Sequence, residues 1–293
     1  MDAAIVSSFA NILKAFAPCF TAPSMDTFTM LMAGWVLNLR RHTITEIVRA
    51  AGAVGCKHIS SFHRFFSQAS WLMDEVGLTL AELIIKRLAP AGVIRLVVDD
   101  TLGRHTGKQI AAASMHRDPL LSTGRRASFS WGHVWVVLAI EVTLFGKSRA
   151  LPVLFRLHRS EKRCKKEKRA YSKITDQARE LVELLASKYP QRQFQVLGDS
   201  AYTNSTLIKN RRSNVHLIGR GRLDAALYAP APSGVRARRV DRGFGANISH
   251  HRPNKRKPRT LLGRRSRSTS TAKRLRYSCW SSMLCGTSPL AAS

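Results

Sequence analysis

The stretch that decides the fold is Val97-Val98-Asp99-Asp100-Thr101, where a β-rich apolar run that begins at Val93 reaches two aspartates. A second stretch, Val196-Leu197-Gly198-Asp199-Ser200, repeats this pattern later in the chain. Because a buried sheet brings the ends of distant strands together, we expect Asp99 and Asp199 to converge. Such a pair is typical of a magnesium site, since Mg²⁺ takes hard oxygen ligands and keeps part of its water shell. Helix caps or turns are the alternative explanation of the aspartates.

The hydrophobic pattern predicts more elements around these two strands. Residues 134–142 and 150–157 are apolar runs on either side of Phe145-Gly146-Lys147, which predicts an antiparallel pair. Apolar residues recur with helical spacing from Ala178 to Leu185, with Thr175 or Ser172 as the expected cap. A strand, a helix and a strand are then predicted at 194–197, 203–210 and 215–218. The order strand, strand, strand, helix, strand, helix, strand, with aspartates ending the first and fourth strands, indicates a ribonuclease-H-like α/β fold.

The segment before Val93 has a helical pattern. Thr43 and Glu46 form a capping box for a short helix, and Gly52 is the expected stop. A second short helix over 59–67 gives the spacing of a helix-turn-helix, which would present a polar set to DNA: His58, Ser60, Ser61, His63 and Arg64. Ordinary helix packing is the alternative, in which Phe62, Phe65 and Phe66 are core residues. A longer helix is predicted over 71–88, ended by Pro90.

The overall charge indicates a nucleic-acid partner. The chain has a formal net charge of +30 and a sequence pI near 11.3, which suits a polyphosphate ligand. Residues 231–293 hold 15 Lys and Arg against Asp241 alone, yet the rest of the chain is basic without them. Seven basic residues between 159 and 169 form a connector expected to contact DNA phosphates. No apolar run approaches the roughly 20 residues of a membrane span, and the five scattered cysteines fit a reducing cytosol.

The chain resembles bacterial insertion-sequence transposases of the DDE type, in the ribonuclease-H-like integrase superfamily. The resemblance extends over roughly residues 30–232. It is carried by five short stretches: Val98-Asp99-Asp100-Thr101, Gly107-Lys108, His116-Arg117-Asp118-Pro119, Gly198-Asp199-Ser200-Ala201-Tyr202 and Arg222-Leu223-Asp224-Ala225-Ala226-Leu227-Tyr228.

The resemblance implies a metal-dependent site and a DNA substrate. Two Mg²⁺ or Mn²⁺ ions would be held by Asp, Asp and Glu for strand cleavage and transfer. Asp99 would be the first carboxylate, in preference to Asp100, and Asp199 the second, with Thr101 and Tyr202 in support. The implied partners are double-stranded DNA, as transposon terminal repeats and target, and a second copy of the chain that pairs the two ends. The implied location is the bacterial cytoplasm, at the nucleoid.

One expected element is missing. After Glu183 the chain contains no glutamate, so the third carboxylate of the family pattern is absent. We therefore expect metal-dependent strand cleavage and transfer to be weak or absent. Residues 231–293 carry 12 Arg and 10 Ser and lack the periodicity of a core. We hypothesise that a truncation or frameshift near residue 232 replaced the family's C-terminal part. The expected organisation is a helical domain at 1–92, a partial catalytic core at 93–230 and an irregular basic tail at 231–293. A catalytically inactive DNA-binding fragment, acting as an inhibitor or remnant, is the alternative function.

Overall fold

The computed structural model describes residues 3–107, 109–209 and 211–220, without the side chains of residues 3–6. The basic tail predicted at 231–293 and the motif at 222–228 lie outside the described residues, so the structure adds nothing about them. None of the helices in the described part is both long enough and apolar enough to span a bilayer.

Helices make up the N-terminal part. Their bounds are α1 Ala3–Lys14, α2 Ala22–Leu37, α3 Ile44–Ala50, α4 Ile59–Ser67 and α5 Met73–Leu88, with a short 3₁₀ helix at Ala17–Cys19.

The start and the end of α3 follow the sequence pattern. The Thr43 hydroxyl accepts a hydrogen bond from the Glu46 N–H at 3.3 Å, as a capping residue should. Gly52 follows the helix with φ +65°, a conformation that favours glycine at a helix end. In α4, Phe62 and Phe65 are buried in the helical core, whereas Phe66 is exposed. Two of the three phenylalanines therefore belong to the core, and the helix-turn-helix stays a prediction.

The remaining elements form a mixed sheet with helices. Their bounds are β1 Ile94–Arg104, β2 Ser114–Arg117, β3 Phe129–Leu144, β4 Lys147–His158, α6 Glu161–Lys166, α7 Ile174–Lys188, β5 Phe194–Gly198, α8 Ser205–Ile208 and β6 Val215–Gly219. The strand order is β2-β3-β1-β5-β6, and β4 also pairs with β3. Strands β1, β5 and β6 are parallel, while β3 is antiparallel to β1, β2 and β4. This order and these directions confirm the ribonuclease-H-like fold.

The predicted hairpin is confirmed, although its turn is Phe145-Gly146 and β4 already begins at Lys147. Leu144 pairs with Lys147, so the connection between β3 and β4 has two residues. Both of them, Phe145 and Gly146, have positive φ, as the tight hairpin turns that match strand twist require. The hairpin fixes the register of the two longest strands.

Helices α5 and α7 cover one face of the sheet. Alternating residues of the strands, such as Leu96, Val98 and Leu138, are buried there. Arg156 of β4 bonds Asp74 of α5 at 2.6 and 2.8 Å and Glu180 of α7 at 2.9 Å, which ties both helices to this face.

Helix α5 belongs to both cores. Its Ala81, Ile84 and Ile85 lie in the core of the sheet, while Val76 and Leu83 pack against the core of the N-terminal helices. The domain boundary at residues 92/93 therefore stays a prediction, since the last helix before it contributes to the cores on both sides.

Two local predictions were wrong, and two short elements were not predicted. The first strand does not end at the aspartates but continues to Arg104, because β3 pairs with it as far as Gly132. Helix α7 begins at Ile174, and its N-cap is Lys173, without a side-chain bond, in place of Thr175 or Ser172. Strand β2 and helix α6 were not predicted, and both are short.

Candidate active site

The two predicted aspartates lie on neighbouring parallel strands at matching positions. Val97 of β1 pairs with Leu197 of β5. Asp99 comes two residues after Val97, and Asp199 comes two residues after Leu197. Asp99 is inside β1, whereas Asp199 comes directly after the end of β5. The structure thus brings Asp99 and Asp199 together at the point where the parallel pairing ends.

Each carboxylate is held by one oxygen. Asp99 Oδ1 accepts the N–H of Asp100 at 2.8 Å, and Asp199 Oδ1 accepts the N–H of Ala201 at 2.8 Å. Within residues 3–107, 109–209 and 211–220, their Oδ2 atoms make no hydrogen bond and neither carboxylate has an ion pair. Both side chains are exposed, so each presents one oxygen that an external ligand can use.

The electrostatics of the pair favour an added cation. Desolvation raises the pKa of Asp99, and the negative charges of Asp100 and Asp199 raise it further. Carboxylates that repel one another gain stability from a shared positive charge. The described protein groups around the site therefore do not neutralise its negative charge.

Asp100 is in a different environment from Asp99. Successive residues of a strand alternate between its faces, so Asp100 lies on the face of Val98 and the helices, opposite to Asp99. Its Oδ1 accepts the hydroxyl of Tyr202 at 2.8 Å. Tyr202 is 1% exposed, and burial next to these aspartates raises the pKa of its hydroxyl, which therefore remains a donor.

The residue before Asp199 must be small. A Cβ on Gly198 would lie 2.8 Å from Tyr202 Cβ and 3.3 Å from Val98 Cγ1, which is too close for both contacts. The glycine lets the Tyr202 ring pack directly against β5 and β1. This close approach places the Tyr202 ring against both strands next to the site.

A histidine that the sequence did not assign lies near this site. His158 ends β4 and is 7% exposed, and the negative charge of Asp100 opposes the fall in its pKa that burial causes. Its ring lies 6.1 Å from the ring of His116, and Gln177 is close enough to interact with His158. The only sequence signal was a polar residue at the end of an apolar strand.

Asp118, part of a quoted motif without a role, proves to be a structural centre. It is 1% exposed and bonds Arg104 through two contacts of 2.6 and 2.9 Å. It also accepts the Ser130 hydroxyl at 2.6 Å and the N–H groups of Leu120 and Leu121. These donors hold the pKa of the Asp118 carboxyl well below its usual range. Asp118 therefore anchors the loop between β2 and β3 to β1.

The donor set at Asp99 and Asp199 fits one hard divalent cation. Mg²⁺ is commonly held by one or two carboxylates, with waters and substrate phosphates completing its shell. In the described part of the chain, no group of three His, Cys, Asp or Glu side chains is arranged to hold a metal ion. The geometry thus provides two carboxylates for an oxygen-rich, incompletely enclosed site.

Comparison with known families agrees with this geometry. A family model described as DDE superfamily endonuclease matches residues 15–284. The match reaches well beyond residue 232, and the frameshift hypothesis stays a prediction that the gene's other reading frames can test. Among curated proteins, no match to the chain is found. Because the family match covers most of the sequence and includes both aspartate-bearing strands, the chain belongs to the DDE superfamily of endonucleases.

Proposed function

We propose that the protein is an insertion-sequence transposase whose DNA strand cleavage and transfer use Mg²⁺ or Mn²⁺ bound by Asp99 and Asp199, with activity impaired by the lack of a third carboxylate. The observation that carries the proposal is the matched position of the two carboxylates on parallel strands, each with one oxygen left for a ligand. Nucleases of this family act on DNA and generally use divalent metals.

The residues have separate parts in the proposed reaction. Asp99 and Asp199 would hold the ion, which when bound activates water, and later a DNA 3′-hydroxyl, for attack at phosphorus. The backbone N–H groups of Asp100 and Ala201 orient these carboxylates. Thr101 lies on the Asp99 face of β1 and lines the same side of the site.

The helix-turn-helix formed by α3 and α4 is the proposed reader of the terminal repeats. His58, His63 and Arg64 are exposed on it, and Ser60 and Ser61 are half-buried. The His58 ring caps α4 by accepting the N–H of Ser60 at 3.3 Å. The imidazole and guanidinium groups on this helix are hydrogen-bond donors suited to phosphates and base edges.

The basic connector after β4 would follow the DNA backbone only in part. Glu167 pairs with Arg159 at 2.7 Å, with Arg163 at 2.5 Å and with Arg169 at 4.0 Å, so these arginines are partly neutralised. Three lysines of the connector have no ion pair within the described residues, and we assign them the phosphate contacts: Lys162, Lys166 and Lys168. Such contacts give affinity that falls with salt and carries no sequence information.

Two further elements of the proposal concern the assembly and its place in the cell. Pairing two transposon ends requires two catalytic units, so we propose a homodimer on DNA. The basic charge of the chain suits a protein that stays on the bacterial nucleoid.

A nicking assay tests this function. Purified full-length protein is incubated with a labelled duplex that carries the element's terminal repeat, in Mg²⁺, Mn²⁺ or EDTA. We expect metal-dependent nicking that Asp199→Ala removes while gel-shift binding of the duplex persists. Nicking that is equal in EDTA, or equal in the variant, would rule out the proposed site.

A second candidate is a DNA-binding remnant that occupies transposon ends without cutting them. It is favoured by one observation, the lack of any glutamate after Glu183 to complete the carboxylate set. The same assay separates the two candidates, because a remnant binds the end-containing duplex in every metal and nicks it in none.

A further inference from the structure

We propose that the exposed Asp100 and the buried Tyr202 form a clamp that fixes the spacing of Asp99 and Asp199, which makes Asp100 a positioning residue and not a metal ligand. The inference rests on the proposed function of the Asp99 and Asp199 site. It concerns the second aspartate of the Asp99-Asp100 pair, whose part the sequence left open.

The clamp joins the two strands beyond their last backbone pair. The parallel pairing of β1 with β5 stops at Val97 and Leu197. Past that point, the Tyr202 hydroxyl donates to Asp100 Oδ1 at 2.8 Å and ties the turn after β5 to β1. Tyr202 is 1% exposed and Asp100 is exposed, so the bond is shielded from water on the side of the tyrosine.

Each end of the clamp is connected to a carboxylate of the site. On β1, the N–H of Asp100 donates to Asp99 Oδ1 at 2.8 Å. On the other side, the N–H groups of Tyr202 and Thr203 both donate to the Asp199 carbonyl at 3.2 Å, and the Thr203 hydroxyl does so at 3.1 Å. A movement of Tyr202 therefore shifts the turn that orients Asp199.

The placement of Asp100 also separates it from the proposed ligands. It lies on the helix-covered face of β1, and Asp99 lies on the opposite face. A carboxylate that accepts a buried tyrosine hydroxyl on one face is directed away from an ion held on the other. The hydrogen-bonding oxygen of Asp100, and not its charge, is what the clamp requires.

Direct Mn²⁺ binding to the full-length protein, followed by electron paramagnetic resonance, tests the clamp without a DNA substrate. Asp100→Asn keeps an oxygen that accepts the Tyr202 hydroxyl, so its Mn²⁺ affinity should fall less than about threefold. Tyr202→Phe and Asp100→Ala both remove the bond and should weaken binding by about tenfold, the upper range for one intramolecular hydrogen bond. The double variant should be no weaker than either single variant, because both remove the same contact.

Thr203→Val provides a milder second probe if Tyr202→Phe unfolds the protein. It removes only the hydroxyl bond to the Asp199 carbonyl and should weaken Mn²⁺ binding in the same direction by a smaller factor. Thermal melts of every variant show whether the fold is intact at the titration temperature.

The outcomes separate the clamp from the proposed function. If wild-type protein fails to bind Mn²⁺, the proposed metal site is refuted and the clamp with it. If wild-type protein binds and Asp100→Asn abolishes binding as completely as Asp199→Ala does, Asp100 is a ligand and the clamp alone is refuted. Unchanged affinity in folded Tyr202→Phe and Thr203→Val would also refute the clamp.

Discussion

The carboxylates of Asp118 and Asp99 differ in burial, in hydrogen bonding and in the direction of their pKa shifts. Asp99 is a residue of β1, and Asp118 bonds Arg104 of the same strand. Asp118 is buried and accepts five hydrogen bonds, from Arg104, Ser130 and two backbone N–H groups. Asp99 is exposed, accepts one backbone hydrogen bond and faces the negative charges of its neighbours. The pKa of Asp118 is lowered and that of Asp99 is raised.

The difference distinguishes a structural carboxylate from one that is prepared for a ligand. Around Asp118 the protein itself supplies the donors and the positive charge, so the folded state gains stability from the ionised form. Around Asp99 and Asp199 the protein supplies too few donors, and the ionised forms repel one another. A bound divalent cation would relieve this unfavourable charge, which supports the proposed metal site.

Loss of a site carboxylate should give the largest effect and should leave the fold intact. Asp99→Ala and Asp199→Ala should each lower the rate of metal-dependent nicking by about 10²–10³-fold or more, as loss of a core electrostatic group does. Their melting temperatures without metal should not fall below that of the wild type. A variant that unfolds, or one that keeps full nicking, would contradict the assignment.

Asp118 should show the opposite behaviour. Asp118→Ala removes a buried bidentate partner and leaves buried N–H donors unpaired, so it should lower the free energy of unfolding by about 2–4 kcal/mol. Urea denaturation followed by circular dichroism measures this loss.

Ser130→Ala is the matched control for Asp118→Ala. It removes one of the five hydrogen bonds and should cost about 1 kcal/mol. Equal losses in the two variants would show that Asp118 is not the centre of the network.

Asp118 should also determine part of the protein's loss of stability in acid. The pKa of Asp118 is lower in the folded than in the unfolded state. The ionised carboxylate therefore stabilises the folded protein fully above the unfolded pKa of about 3.9, and this stabilisation is lost as pH falls through the folded pKa. Asp118→Asn should therefore flatten the dependence of unfolding free energy on pH below about 4. If the unfolding free energy of Asp118→Asn depends on pH as steeply as that of the wild type, other carboxyl groups cause the sensitivity to acid.

The smallest expected effect is a slight gain in the stability of the protein when Asp99 loses its charge. Since the folded pKa of Asp99 is raised, its ionised form disfavours folding once pH rises through that pKa. In EDTA at pH 7, Asp99→Asn should raise the melting temperature slightly, because solvent screening limits the repulsion at an exposed group. Below the unfolded pKa, where both forms are neutral, the difference should vanish. A lower melting temperature at pH 7 would contradict the description of Asp99 as strained by charge.

The parts of the fold that sequence predicted are those with a repeating apolar pattern. Ala178, Leu181, Val182 and Leu185 are buried on α7 as their spacing indicates, and the β3 and β4 hairpin follows from two apolar runs around a glycine turn. The continuation of β1 to Arg104 had no such pattern, because Leu102 is its only large apolar residue and the segment is held by pairing with β3.

The candidate site was predictable in its two main residues and not in their surroundings. Asp99 and Asp199 follow apolar strands, so local sequence was enough to predict their approach. The bond from Tyr202 to Asp100 and the approach of His158 to Asp100 join residues far apart in the chain, and no local pattern reports such contacts.

The most direct test of the account is a calorimetric titration of Mn²⁺ into wild-type protein, Asp99→Ala, Asp199→Ala and Ser130→Ala at pH 7. We expect saturable Mn²⁺ binding in the wild type and in Ser130→Ala, and loss of that binding in both aspartate variants. Binding that persists unchanged when either Asp99 or Asp199 is removed would contradict the claim that these two carboxylates form the metal site.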